Sequence, residues 1–480
     1  MKKRFGKRSS VSSMLKILGV VGVLGLGFAL FSKGFSYGDP EFLMLERQLQ
    51  SPIVKPETLQ GWIAKGYKHP FGYPVVIVDT SARGFEAGHI PGAVNIPVAE
   101  FSELRSDGPV LVDPMVASGE RLDGLLKRMG ARSKETLIVF TSSSPTTDDT
   151  VTRAFWTLHY WGFKPRYIKV LDGGNAAFQQ AGFGLEQGTS NPTPGILSVR
   201  NVNDPEQMAK TRKSIGEMLR LIDGGKTKDG SVQVVYVLTP NLALTGTRDR
   251  ITQTTFGDLR VYFSGRVSGA KQLMFGRENL FREDGTFLSK EKMLALFQGV
   301  GLDPQKPTIT YCNRGNVASL YWFAMKFVAG FQDVAVYDGS WSEWGKLCAY
   351  QPTPQAPYVL KDGTAEGFLR GYDPQRRVFL DSFGKEQAVP NEFLMLGGAL
   401  EGNTAWDTVS RSELVVFNPE AAVPEPLPEP YVVYPDYLGN GGEIENDDRN
   451  YLLSGGGTTA APQEPTPAAL QPVIGAGGGC

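Results

Sequence analysis

The sequence predicts an α/β protein built from two doubly wound parallel-sheet domains in tandem, followed by an irregular C-terminal extension. Two observations carry that expectation. Short apolar runs alternate with amphipathic stretches of helical length, which is the pattern of strand–helix–strand units stacked into a parallel sheet with helices on both faces. The same order of elements then recurs further along the chain. In the first pass, residues 75–79 and 137–140 read as strands and residues 56–65, 118–129 and 151–160 as helices. In the second, 233–238 and 307–311 read as strands and 215–222, 290–298 and 318–327 as helices. The Gly-, Ser-, Thr- and Pro-rich stretch 185–194 reads as a connector between the two copies.

The chain of 480 residues, 41% hydrophobic and 21% charged, has room for two such domains and further material. Its net charge of −1 hides an asymmetry: residues 1–38 hold seven of the 49 basic residues and none of the 50 acidic ones. The remainder is acidic, which argues against a nucleic-acid partner. Lys2, Lys3, Arg4, Lys7, Arg8 and Lys16 precede an apolar run over 17–31, the charge order that export machinery reads. An exported, periplasmic or cell-envelope protein is expected, with 1–38 a cleaved signal or an anchor that is the chain's sole membrane contact. The boundaries expected are 39–185 for the first domain, 186–196 for a linker and 197–350 for the second domain. Residues 351–453 form an extension with strands near 377–380, 393–396 and 414–417, and 454–480 a disordered tail. Pro424 to Pro430 alternate in a stiff spacer.

Chemistry concentrates at Cys312. The β-branched and aromatic run before it reads as a strand and the run after Val317 as a buried helix. A thiol at that junction lies under the positive end of the helix dipole beside unpaired amides, which favours the thiolate. Asn313, Arg314, Gly315, Asn316 and Val317 would form the cradle, with Gly315 permitting close approach, Asn316 a side-chain donor and Arg314 positive charge. A phosphatase loop needs arginine where Ala318 stands, so phosphate chemistry is disfavoured. Three cysteines cannot all pair within one chain, so at least one stays free. Cys348 reads as a small buried residue, and Cys480 as an exposed terminal one. No metal cluster, nucleotide loop or other cofactor motif is evident.

The motifs around these elements resemble a known family. Gly88-His89-Ile90-Pro91-Gly92-Ala93 and Val170-Leu171-Asp172-Gly173-Gly174 in the first copy, with Cys312-Asn313-Arg314-Gly315 and Tyr337-Asp338-Gly339-Ser340-Trp341 in the second, are similar to the signatures of tandem rhodanese-like (thiosulfate) sulfurtransferases. The resemblance spans roughly residues 52–350. It implies a silent first domain and a second domain in which Cys312 carries a sulfane sulfur as a persulfide. The sulfur would move from thiosulfate or a similar small anionic donor to a thiol, sulfite or cyanide acceptor. The family's Asp and Arg after the first strand of the catalytic domain are replaced by the stretch from Tyr236 to Pro240. Arg248 and Arg266 are the candidates to bind the anion instead, and Ser340 and Trp341 to line the cleft. In the first copy His89 reads as a capping or packing residue and Arg83 with Asp79 as a fold-stabilising pair. The rival reading is a non-catalytic envelope scaffold that holds a protein partner through its C-terminal extension.

Overall fold

A computed structural model of the chain describes residues 39–107, 111–143, 149–202, 204–227, 229–237, 267, 270–273, 276–340, 342–343 and 442–454, together with short strands at 359–360, 372–373, 378–380, 386–387 and 431–432. The expectations for 1–38, Arg248, Arg266, Trp341, Cys348, the proline spacer, residues 393–396 and 414–417, and the tail from 455, including Cys480, lie outside the described residues.

The first domain opens with helix α1 (Pro40–Gln50), capped by the Asp39 side chain, which accepts from the Glu41 amide. Strand β1 (Ile53–Val54), helix α2 (Pro56–Ala64) and strands β2 (Val75–Asp79) and β3 (Ala93–Asn95) follow. An antiparallel ribbon of β4 (Ser102–Ser106) and β5 (Leu111–Val116) leads to helix α3 (Gly119–Met129), then β6 (Leu137–Thr141), helix α4 (Thr150–Tyr160), β7 (Ile168–Leu171) and helix α5 (Gly174–Gln180). The main sheet is parallel, in the order β1-β7-β6-β2-β3.

Both faces of this sheet are buried, and the two faces belong to different cores. Val75, Ile77, Leu137 and Val139 pack with Leu59, Trp62 and Phe178 of α2 and α5. Their neighbours Val78, Ile138 and Phe140 point the other way, into a core with α3 and α4. That is the period-two alternation of a strand covered on both sides, which is why the runs read as almost continuously apolar.

The second domain repeats the plan. Helices α6 (Val199–Val202) and α7 (Pro205–Thr211) lead into strand β8 (Arg212–Lys213), helix α8 (Ile215–Asp223) and strands β9 (Gln233–Tyr236) and β10 (Lys271–Gln272). Helix α9 (Lys290–Gly299), strand β11 (Thr308–Tyr311), helix α10 (Asn316–Phe323) and strand β12 (Val334–Tyr337) complete it. Its parallel sheet runs β10-β9-β11-β12-β8, the order of the first domain element for element.

The helix expected over 318–327 starts two residues earlier, at Asn316. Beyond Phe323 it widens into a π turn over Ala324–Ala329 that ends on left-handed Gly330. The wide turn brings the Phe327 ring to 5.5 Å from Phe155 and 5.3 Å from Trp322.

Helices α4 and α10, the equivalent helices of the two domains, pack on each other at the domain boundary. Every residue of α4 from Val151 to Tyr160 is buried. Phe155 meets Phe323 edge-to-face at 5.0 Å, and Thr152 Oγ1 lies 3.3 Å from Ser319 Oγ. One apolar core therefore runs through both domains.

Between 359 and 432 the described strands form a two-stranded and a three-stranded antiparallel sheet; of these, Val378–Leu380 falls on the expected 377–380. The extension also contains a helix that the sequence reading lacked, α11 (Glu443–Leu453), which folds back on the first two domains. Arg105 holds Asp448 through Nη1 at 3.0 Å and Nη2 at 2.8 Å, and Tyr160 donates to the same carboxylate at 2.7 Å. Arg212 reaches Glu445 at 2.6 Å, and the Arg200 guanidinium lies 3.7 Å over the Tyr451 ring.

Candidate active site

Cys312 directly follows β11, the central strand of the second sheet, which is bonded to β9 on one side and β12 on the other. Five hydrogen bonds fix the loop that carries it, and a sixth holds Ser340 in place. Gly315, left-handed at φ 82°, donates its amide to Cys312 Sγ at 3.1 Å. The Cys312 amide donates to Ser340 Oγ at 3.3 Å, and Ser340 Oγ donates to the Tyr337 carbonyl at 2.9 Å. Ser342 donates to the Asn313 carbonyl from its amide at 2.9 Å and from its hydroxyl at 2.6 Å. Tyr236, which stands where the aspartate was expected, stacks on Tyr311 at 4.8 Å and donates its hydroxyl to Asn313 Oδ1 at 3.0 Å.

The sulfur is fully buried. Burial pushes the Cys312 thiol up; the amides of Arg314, Ala318 and Gly315 pull it down, and the charge of Asp149 adds to the rise. The expectation of a resting thiolate is thus corrected. The cradle of amides is present, but desolvation outweighs it and holds the thiol above its ordinary range. The amide of Ala318, just beyond the expected span from Arg314 to Val317, joins the cradle. Asn316 Oδ1 is buried without a hydrogen-bond partner among the described residues. Ser340, expected at the cleft, lies beneath the cysteine as a support and holds a left-handed φ of 52°.

The first domain reaches this site, which the sequence reading missed. Asp149, the residue before α4, raises the Cys312 thiol through its charge and is paired with Arg277 at 3.5 Å. Arg153 of α4 is fully buried and places Nη1 2.6 Å from Asp338 Oδ1, at the end of β12. Asp338 Oδ2 also takes the Val116 amide at 2.8 Å and Arg212 Nε at 3.2 Å. Burial alone would raise the Asp338 carboxyl, but Arg153 and Arg212 bring it below the usual carboxylate range. A signal existed: Arg153 is the one basic side chain inside the apolar run 151–156.

In the first domain Ser142 occupies the place of the cysteine, 3.1 Å from Ser81 Oγ, so no thiol is available. Asp79 accepts from the Ser81 amide at 2.9 Å and Asn175 Nδ2 at 2.8 Å. The expected pairing of Asp79 with Arg83 is therefore corrected: the side chain of Asp79 is taken up locally, and Arg83 is exposed on a cleft of about 560 Å³ with Glu86, Asn95 and Asn191. His89 is buried, stacked on Phe85 at 3.8 Å. Among the described residues no group of His, Cys, Asp and Glu could hold a metal ion.

A family profile for the rhodanese-like domain matches residues 64–181 and 251–347, one match on each sheet. The chain carries two rhodanese-like domains in tandem. Among its relatives is the sulfur carrier protein TtuD of Thermus thermophilus, 28% identical over 297 residues that cover 61% of this chain and 95% of the relative. The thiosulfate sulfurtransferase of Corynebacterium glutamicum is 27% identical over 290 residues, covering 60% and 86%. A solved structure of an EanB variant in complex with ergothioneine superposes with a TM-score of 0.50 at 19% identity, covering 65% of this chain and 70% of that one, which shows a shared fold. The sulfurtransferase fold thus accounts for both sheets, and Cys312 is the one free cysteine among the described residues.

Proposed function

We propose that this sulfurtransferase carries sulfane sulfur on Cys312, taking it from thiosulfate or a similar small anionic donor. The Cys312 thiolate attacks the outer sulfur of the donor. The new sulfur–sulfur bond forms as the old one breaks, and sulfite leaves with the bonding pair. An acceptor nucleophile such as cyanide, sulfite or a thiol then attacks the outer sulfur of the persulfide and the Cys312 thiolate departs. The observation that carries this reading is the Gly315 amide aimed at Sγ from 3.1 Å, at the start of α10, with further amides beside it. Amide donors fixed in advance stabilise an anionic sulfur without reorganisation. Arg314 supplies charge for a dianionic donor, and the basic N-terminus before an apolar run supports export into the envelope. Among the described residues no helix is long and apolar enough to cross a membrane.

One observation favours a second reading: Cys312 has no solvent exposure, as suits a scaffold that has kept the fold and lost the chemistry. Incubation of reduced protein with thiosulfate, alkylation and mass spectrometry of the Cys312 peptide decide between them. One added sulfur is expected. A peptide that stays unmodified in folded, reduced protein refutes the carrier and favours the scaffold.

A further inference from the structure

We propose that Arg153, a residue of the first domain, is a positioning residue for the sulfur site of the second: with Asp338 it forms the floor on which Gly315 rests, and that floor aims the loop amides at Cys312. The inference rests on the reading of Cys312 as the nucleophile and adds what the silent domain does for it.

The contacts form a short chain. Arg153 is immobilised by Asp338 at 2.6 Å, by Ser102 Oγ, which accepts from Nε at 3.2 Å, and by the Trp156 ring, 4.6 Å below the guanidinium. Gly315 sits directly on this pair. A Cβ at that position would lie 2.8 Å from the Asp338 carbonyl oxygen, 3.1 Å from Arg153 Nη1 and 3.2 Å from Asp338 Oδ1. The amide of the same glycine donates to Sγ. A shift of the guanidinium therefore moves the donor that faces the sulfur.

Two further observations set Arg153 apart from an ordinary interface charge. Its Nη2 is buried with no hydrogen-bond partner among the described residues, although a buried polar group is costly to leave unmatched. The position is also asymmetric. The equivalent helix of the second domain, α10, carries no basic side chain from Asn316 to Phe323. Asp172, the counterpart of Asp338, pairs instead with Lys55, which is half exposed. Among the described residues, a buried arginine stands only on the side that serves the cysteine.

The test measures the pH profile of Cys312 alkylation by iodoacetamide, read by mass spectrometry of its peptide, in the full chain and in Arg153→Lys, Arg153→Met, Gly315→Ala and the double variant Arg153→Met/Gly315→Ala. Folding is checked by near-ultraviolet circular dichroism. The midpoint is expected to rise by about one pH unit in Arg153→Met, about tenfold less thiolate at a given pH, and by less in Arg153→Lys. The double variant should rise no further than the larger single effect, because both changes act on one contact. A wild-type midpoint in folded Arg153→Met, or additive shifts in the double variant, overturns the proposal. Should Arg153→Met not fold, Arg153→Lys decides in the same way, a wild-type midpoint counting against. The readout needs no sulfur donor. Failure of wild-type protein to take up sulfur refutes the carrier reading, while a displaced midpoint still supports the positioning role.

Discussion

At Cys312 two opposing forces act on one atom, and their order decides how the residue behaves. Burial raises the thiol, amides lower it, and Asp149 adds a further upward push. A thiol held above its ordinary range gives a nucleophile whose fraction grows as pH rises through that raised value, so alkylation and sulfur uptake should both climb on the alkaline side of neutrality. Asp149→Asn removes a negative charge that raises the thiol and releases Arg277 from its partner. Both consequences favour the thiolate. The alkylation midpoint of Asp149→Asn should therefore fall, with about a threefold to tenfold faster reaction at pH 8 for a shift of half to one unit. An unchanged or raised midpoint would show that Asp149 does not act on the sulfur. Tyr236 supplies a second lesson at this scale. The residue that replaces the expected aspartate still serves the site, because its hydroxyl reaches Asn313.

Among the elements, α4 and α10 do most to join the two domains, and Phe155 is their shared apolar anchor, with Phe323 at 5.0 Å and Phe327 at 5.5 Å. Phe155→Ala should cost about 3–5 kcal/mol, as for large buried aromatics truncated in a close-packed core. Because one core spans both domains, urea denaturation followed by tryptophan fluorescence and by circular dichroism should shift as a single transition. Two separated transitions in the wild-type chain would contradict that continuity. The strands were legible because each is a short β-branched run covered on both faces, and β2, β6, β9 and β11 fall within two residues of the expected limits at each end. The cysteine at the strand–helix junction was legible for the same reason. What the pattern could not reveal was the partner of α4. A helix apolar on every side says only that it is buried, and the ionic partner of Arg153, Asp338, lies far along the chain. Burial of the sulfur is likewise a tertiary outcome, so local rules alone favoured the thiolate.

The whole molecule is a near-twofold pair of domains in which each late aspartate takes an amide from the other domain: Asp172 from Phe287 at 2.9 Å and Asp338 from Val116 at 2.8 Å. Helix α11 breaks that symmetry. It brings Glu445 and Asp448 onto a buried cluster where Arg105, Arg153, Arg212 and Tyr160 meet Asp107, Asp338 and Glu343. Acids outnumber arginines there, and burial pushes several of them up. Asp107 is pushed up to about 7 by burial and Glu445, against Arg212. Asp448 is pushed up to about 6 by burial, against Arg105. Glu343 is driven well above its usual range by burial and Asp107. A carboxyl whose docked value lies above its free value binds a proton more tightly when docked. Its contribution is fully present below the free value and is lost as pH rises through the docked one. Docking of α11 should therefore weaken as pH rises from about 4 to about 7, between the free and the docked values of Asp107 and Asp448, the opposite slope from a helix held by ordinary ionised salt bridges. Hydrogen-exchange protection of the amides in Glu443–Leu453, corrected for intrinsic rates, measures this directly. It should drop across that interval in the wild-type chain and become flatter in Asp448→Asn, which keeps a hydrogen-bonding side chain but cannot ionise. Protection that rises with pH would mean the cluster is held by full charges, with Asp107 and Asp448 both ionised beneath the helix.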